Sequence, residues 1–266
     1  MSLHIYKIGS TQFHAAAFLG FLQHEEQVWN RTTGATEPEE LVEAAGRICY
    51  MSFGDKQSPR SNEEYVRNLI EQGHESVLEH VAWTFLLVGV SRAFTHQLVR
   101  HRAGFSFSQL SQQYHEETDA EFVEPPQLQH SPRALEAWRR AMSVAKESYK
   151  TILDSLGDAP NGSVVELGKK ERKRAIRSAA RSVLPNATET KIILTANARS
   201  LRHFFDVRGS IPGDVEMRKV AGAMFKLVHS DAPSLFSDFV LTALADKTPL
   251  LTHESRVNKE RKASIP

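Results

Sequence analysis

The 266-residue sequence predicts an α/β protein in which strands and long helices interleave without the regular spacing of βαβ units. Three observations carry this. His4-Ile5-Tyr6-Lys7-Ile8 alternates in the manner of a short strand, and Val81 to Val90 is an almost unbroken apolar run with β-branched and aromatic members. Such a run predicts a strand buried on both faces. Helical stripes follow at Tyr65, Val66, Leu69 and Ile70, and again from Leu135 to Leu156.

Each element has a local cause. Residues 13 to 30 are mixed and weakly helical, closed by the turn chemistry of Thr32-Thr33-Gly34. Glu39 to Tyr50 places Leu41, Ala44, Ala45, Ile48 and Cys49 on one helical face, which predicts a packed Cys49, not a nucleophile. After a loop from Gly54 to Arg60, Ser61 and Glu64 form a capping box and Gly73 stops the helix. Ser76 and Glu79 can cap a short turn ahead of the apolar run. Ser91 opens a helix carrying Phe94 and Leu98 inward, with Gln97, Arg100 and His101 at i, i+3 and i+4 on a shared face. Gly104 suits the end of that helix, so the Ser/Phe segment beyond is expected as a loop.

Farther on, Ser131 caps a long helix with Pro132 at its first position. Asn161-Gly162 marks a turn, and a helix from Val165 to Val183 carries a basic stripe of Lys170, Arg174, Arg177 and Arg181. For Lys170 and Arg174 a solvated face is the expectation. Lys191 to Ala196 suits a short strand or an early helix. Leu201, Phe204 and Phe205 pack in the next helix, while Arg199 and His203 share its other face. Asp214 caps a helix whose core face is Val220, Ala221, Met224, Leu227 and Val228. Ala232 to Leu241 is a further apolar element, and the stretch from Asp246 on is a polar, Lys/Arg-rich tail expected to be mobile.

Composition narrows the function classes. A net charge of +1 and a pI near 7.9 argue against a bulk polyanion as partner while permitting a local basic site. The single cysteine, Cys49, excludes an intrachain disulfide framework. No apolar run approaches the roughly 18 residues of a membrane span, and the N-terminus has no signal-peptide pattern, so a soluble cytoplasmic protein is expected. His74, Glu79 and His80 suggest a metal site at first sight. The two histidines are off the i,i+4 spacing of a helical zinc pair, and no metal is expected.

The stretch with most chemistry is Gln97 to Tyr114, QLVRHRAGFSFSQLSQQY. Arg100, His101 and Arg102 stand together, followed by hydroxyls and amides interleaved with Phe105 and Phe107. Two explanations stand. Guanidinium forks with hydroxyl and backbone donors make an anion site. Alternatively, the positive charges offset the dipole of an exposed helix end.

Arg-His-Arg followed by Ser-x-Ser-Gln-Leu-Ser-Gln-x-Tyr resembles the signature of the flavin-dependent thymidylate synthases. That signature is Arg-His-Arg, seven residues, then Ser, with an Arg-Tyr pair just beyond. Here eight residues, Ala103 to Leu110, separate Arg102 from Ser111, and Gln113 takes the place of the family's Arg. Gly73-His74-Glu75-Ser76-Val77-Leu78-Glu79-His80, the Arg181 before Val183-Leu184-Pro185, and Asn197 to Arg208 also match the family's patterns, in order.

The resemblance implies a single α/β catalytic domain over 1–245, with a mixed central sheet flanked by long helices, and a polar tail over 246–266. It implies a homotetramer with active sites shared between subunits. For FAD it implies His74, Ser76, Glu79, Arg100, His101, Arg102, Asn197, Arg199 and His203. For the uracil nucleotide it implies Gln97, Arg100, Gln109, Leu110, Ser111, Gln112, Gln113, Arg181 and Arg208. Arg208 and Ser111 are the catalytic candidates, Ser111 as a positioning hydroxyl because no His-carboxylate relay is visible beside it.

The implied reaction is C5-methylation of dUMP to dTMP, with methylenetetrahydrofolate as carbon donor and NADPH as reductant. Without a ring-activating thiol, a cation set against the ring oxygens must stabilise the developing charge. The altered nucleotide end of the motif raises a second acceptor, UMP, which a branch of the family methylates in making polyoxin-type nucleoside antibiotics. A different class of function, a flavin-free RNA-binding protein using the basic stripe and the Phe105/Phe107 pair, is the remaining alternative. Near-neutral charge and the lack of a recognised RNA-binding motif weigh against it.

Overall fold

The structure, a computed structural model, describes residues 2–159 and 167–253. The expected Asn161-Gly162 turn, the helix start at Val165 and the tail beyond residue 253 lie outside the described residues. In chain order the elements are β1 (His4–Ser10), α1 (Ala15–His24), α2 (Glu37–Ile48), α3 (Asn62–Glu71), β2 (Ala82–Ser91), α4 (Arg92–Leu98), β3 (Phe105–Gln109), α5 (Pro132–Asp158), α6 (Lys169–Ala180), β4 (Glu189–Asn197), α7 (Ala198–Arg208), α8 (Val215–Asp231), β5 (Phe239–Ala243) and β6 (Pro249–His253). Short 3-10 turns at Glu75–His80 and Arg181–Val183 matter for the site. The α/β class is as expected. The main sheet has the order β1-β2-β4-β3, and β5 and β6 form an antiparallel pair in register Phe239 with His253. That pair places strand inside the stretch expected to be tail.

Contacts divide the chain into two compact units. The first comprises the described residues of Met1–His4, Leu87–Arg100 and Phe107–Ile193. Here Ser91 caps α4 as its sequence predicts, its Oγ accepting from Phe94 N at 3.0 Å. Of the long α5 stripe only Tyr149 is fully buried, and its hydroxyl accepts a hydrogen bond from Glu117 N at 3.0 Å.

The second unit comprises the described residues of Ile5–Leu86, His101–Ser106 and Leu194–Pro266. Its core gathers Trp83, Leu201, Phe204, Phe205, Val220, Met224 and Phe236, all fully buried. Rings meet edge to face, as where Phe205 and Phe225 lie 5.7 Å apart at 87°. Asn197 caps α7 by accepting from Ser200 N at 2.9 Å, and Asp214 caps α8 by accepting from Met217 N at 3.2 Å.

Several expectations are corrected. Of the expected α2 stripe, Ala44 is buried in the core and Ile48 packs against it, whereas Leu41 and Ala45 are only half-buried and Cys49 is exposed at the helix end; Glu39, Glu40, Glu43 and Arg47 are buried as well. Burial of the Glu43 carboxylate is possible because both its oxygens are met. Glu43 Oε1 accepts from Arg47 Nε at 2.7 Å and from Trp29 Nε1 at 3.2 Å, while its Oε2 accepts from Asn62 Nδ2 at 2.7 Å. Strand β2 is not buried on both faces. Trp83, Phe85 and Leu87 are buried and the alternate residues Ala82, Thr84, Leu86 and Val88 only half so, the period-two pattern of a sheet with one inner face. The Glu75–His80 turn is entered from His74 with no side-chain cap, so Ser76 and Glu79 do not act as its cap.

Helix α4 stops at Leu98, so Gln97, Arg100 and His101 do not share a helical face. The segment after Gly104 is strand β3, not loop. Its alternation of Phe105 and Phe107, half-buried, with exposed Ser106 and Ser108 is the strand signal that the Gly had masked. Lys191 to Ala196 resolves as strand, within β4.

Candidate active site

The second unit builds one cluster around the last turn of α7. Arg208 is the final residue of that helix and donates from Nε to His101 Nε2 at 3.1 Å. His101 sits against Phe204 in an edge contact of 5.3 Å, with Phe105 at 5.8 Å and His203 at 6.0 Å. Burial, then the Arg208 cation, then His203 push its pKa down to about 4. The imidazole is therefore neutral near pH 7, and because its Nε2 accepts from Arg208 the ring proton belongs on Nδ1.

A close crossing holds this histidine in place. Gly104 adopts φ +68°, and a Cβ there would overlap Ser200 Oγ and come within 2.5 Å of Asn197 Nδ2. Ser200 Oγ donates to Ala103 O at 2.8 Å, and Asn197 N donates to Gly104 O at 3.2 Å. The start of α7 thus grips the 101–104 segment directly, and only glycine permits both the backbone conformation and the approach.

The same helix gathers the 74–80 turn. Arg199 Nη1 donates to Glu79 Oε1 at 2.6 Å, and its Nε lies 3.6 Å from Glu75 Oε2. Ala198 N donates to Val81 O at 2.8 Å, fixing the start of α7 to the end of the turn. His74, Ser76, Glu79, Arg102, Arg199 and His203 are exposed, while Val77, Leu78, Leu201 and Phe204 beneath them are buried. Of the expected flavin residues, all except Arg100 lie in this unit, where α7 draws together Glu79, His101, Asn197, Arg199 and His203.

The expected nucleotide residues other than Arg208 lie in the first unit. Gln97 lies in the last turn of α4 and Arg100 follows the helix in a turn, both exposed. Gln109 turns its amide inward, donating to Thr95 Oγ1 at 3.1 Å and to Thr190 Oγ1 at 3.4 Å. Leu110 N donates to Lys191 O at 2.9 Å, Ser111 Oγ accepts from Gln113 N at 3.3 Å, and Gln112 is buried. Arg181, half-buried, opens the turn after α6.

Gln113 is not a plain vacancy of charge. Its Oε1 accepts from Arg174 Nε at 3.1 Å and its Nε2 donates to Ser178 Oγ at 3.1 Å. Arg174, expected on a solvated face, is instead docked on the signature segment and stacked 5.7 Å over Tyr114. Arg177 does likewise, donating to Glu116 and to Tyr114 O.

Three participants went unnoticed in the sequence. Glu75 faces Arg199 beside Glu79. Ser200 fixes Ala103. Arg92, at the first position of α4, donates from Nη2 to Leu110 O at 2.9 Å and so shapes the segment expected to hold the nucleotide. A cation at a helix N-terminus opposes the dipole, and that mismatch was the available signal.

Comparison with known proteins agrees in one direction. The family model described as "Thymidylate synthase complementing protein" matches residues 31–234. A flavin-dependent thymidylate synthase of Mycobacteroides abscessus is 44% identical over 223 residues, 82% of this chain and 86% of that protein. One from Corynebacterium aurimucosum is 40% identical over 254 residues, covering 93% and 95%. One from Mycobacterium tuberculosis is 41% identical over 238 residues, covering 87% and 91%.

Proposed function

Because the chain belongs to the Thymidylate synthase complementing protein (Thy1) family, the enzymes named flavin-dependent thymidylate synthases, we propose that it methylates C5 of dUMP using FAD, with methylenetetrahydrofolate as carbon donor and NADPH as reductant. The flavin-free RNA-binding alternative gives way to that family membership.

The observation that carries the mechanism is the Arg208–His101 pair. A neutral imidazole accepting from Nε holds the guanidinium at one orientation without cancelling its charge. A fixed cation of this kind, placed against the uracil ring oxygens, stabilises negative charge as it develops and makes C5 nucleophilic. This mechanism makes no use of the only cysteine. Cys49 is exposed at the end of α2, its Sγ bonded to Ala45 O one turn back.

The donor set in the second unit fits FAD. Arg102 and Arg199 suit a pyrophosphate, and exposed His74 and His203 suit the edges of a flavin. The Gly104 crossing, which no side chain can enter, keeps His101 and Arg102 at a fixed reach from α7. When bound, the flavin supplies the redox and carbon-transfer chemistry, and the protein supplies binding, orientation and charge. Arg100, Arg181 and the Gln109–Gln113 segment hold the nucleotide in this scheme, in a homotetramer with shared active sites.

One observation favours UMP as a second acceptor: the signature is a residue longer, and an amide bonded to Arg174 and Ser178 stands where an arginine is usual. Purified protein reconstituted with FAD, methylenetetrahydrofolate and NADPH is expected to show flavin absorbance and to convert dUMP to dTMP. Parallel assay on UMP decides the acceptor. Protein that takes up no FAD and methylates neither nucleotide contradicts the proposal.

A further inference from the structure

The second unit holds a cavity of about 350 Å³ whose wall includes Arg47, Ser52, Lys56, Ser58, Arg60 and Tyr65. Among the described residues no acidic side chain lines it. Its floor is built, not incidental. Arg47 is 1% exposed, its Nε engaged by Glu43 at 2.7 Å and its Nη1 by Ser52 O at 3.3 Å, with the guanidinium 4.4 Å from the Tyr65 ring centre. Its Nη2 is buried with no partner among the described residues, and so is Ser58 Oγ.

Buried donors without acceptors cost about 1–3 kcal/mol each, so two on one cavity wall point to a ligand that supplies oxygen atoms. Glu43 offsets the charge of Arg47 from behind but leaves these donors unmet. Lys56 and Arg60 add exposed positive charge from the rim loop, and Glu64 is the acidic group that feels Arg60. The loop is preorganised. Gln57 accepts from Asn30 N at 2.9 Å and donates to Asn30 O at 2.8 Å, and Gly54 turns at φ +56° with its N donating to Val28 O at 2.7 Å.

We infer that this cavity is a phosphate subsite, and that the phosphate it takes is the ribose 2′-phosphate of the reductant dinucleotide. A tetrahedral dianion matches a guanidinium edge, a hydroxyl and two mobile cations. Tyr50, 71% exposed and also on the wall, offers a ring face to the adjoining adenine. Only the identity of the donor molecule rests on the reductase role proposed above; capture of a phosphate follows from the cavity itself.

The test titrates the full-length, FAD-loaded protein calorimetrically with adenosine 2′,5′-bisphosphate, adenosine 5′-phosphate, dUMP and inorganic phosphate. The bisphosphate should bind at least tenfold tighter than the monophosphate. A Lys56→Ala/Arg60→Ala double variant should lose that advantage while keeping its flavin spectrum and dUMP affinity. A Ser58→Ala variant, with little risk to folding, should weaken the bisphosphate by severalfold. In turnover, the double variant should raise KM for NADPH at least tenfold with kcat retained.

Equal affinity for the two adenosine phosphates, or no effect of the double variant, overturns the inference. So does dUMP or inorganic phosphate being the species whose binding the double variant loses. If the protein methylates no nucleotide yet shows the calorimetric pattern, the reaction assignment fails while the phosphate subsite stands.

Discussion

Arg208 and His101 fix one another: burial, helped by the cation, keeps the imidazole neutral, and the neutral imidazole aims the cation. Replacing Arg208 with Ala should reduce methyl transfer by about 10²–10³ in kcat, the range seen for removal of one transition-state donor. Retained flavin absorbance and melting temperature would show that the fold is intact. Acid should act through the partner. Between pH 6.5 and about 4 the unfolded chain takes up a proton at His101 that the folded chain refuses, so stability falls as pH falls through that window. With solvent screening at this half-buried ring the loss at pH 5 should be about 1 kcal/mol. Urea unfolding at pH 7 and pH 5 checks it, and His101→Gln should flatten the difference. Gly104→Ala meets both the φ +68° backbone and the Ser200 contact, and should cost about 1–3 kcal/mol and impair FAD uptake.

Among the elements, α7 does most of the assembling, because its first turn grips two separate segments and its last residue carries the cation. Asn197→Ala should cost about 1 kcal/mol in urea unfolding through loss of the cap, with weaker FAD retention as the first turn loosens. On α6, Arg174→Ala should raise KM for the acceptor nucleotide roughly tenfold, since Arg174 is the guanidinium that meets Gln113. Caps and stops were legible in the sequence because they are local: Ser61, Ser91, Ser131 and Asp214 each precede their helices as expected. What was not legible depends on distant partners. The buried charges of α2 are stable only because Trp29 and Asn62 arrive from other elements, so periodicity found Ala44 and Ile48 but missed Glu43 and Arg47. Arg174 likewise reads as a solvated charge until the 111–114 segment folds onto it. The flavin and nucleotide residues came from family motifs, and of their two departures the structure answers the one at Gln113 with a neighbouring arginine.

For the molecule as a whole, the residues expected for the two ligands fall largely into two units of the chain. The expected flavin residues other than Arg100 belong to the second, and the expected nucleotide residues other than Arg208 belong to the first. Among the described residues no helix is long and apolar enough to cross a membrane. The central claim is that charge, not a covalent thiol, activates the uracil ring. The most direct test is the rate of dTMP formation from dUMP by FAD-loaded Cys49→Ala and Arg208→Ala proteins assayed side by side. A near-normal rate for Cys49→Ala with a collapse for Arg208→Ala is the predicted result, whereas loss with Cys49→Ala and survival with Arg208→Ala would contradict it.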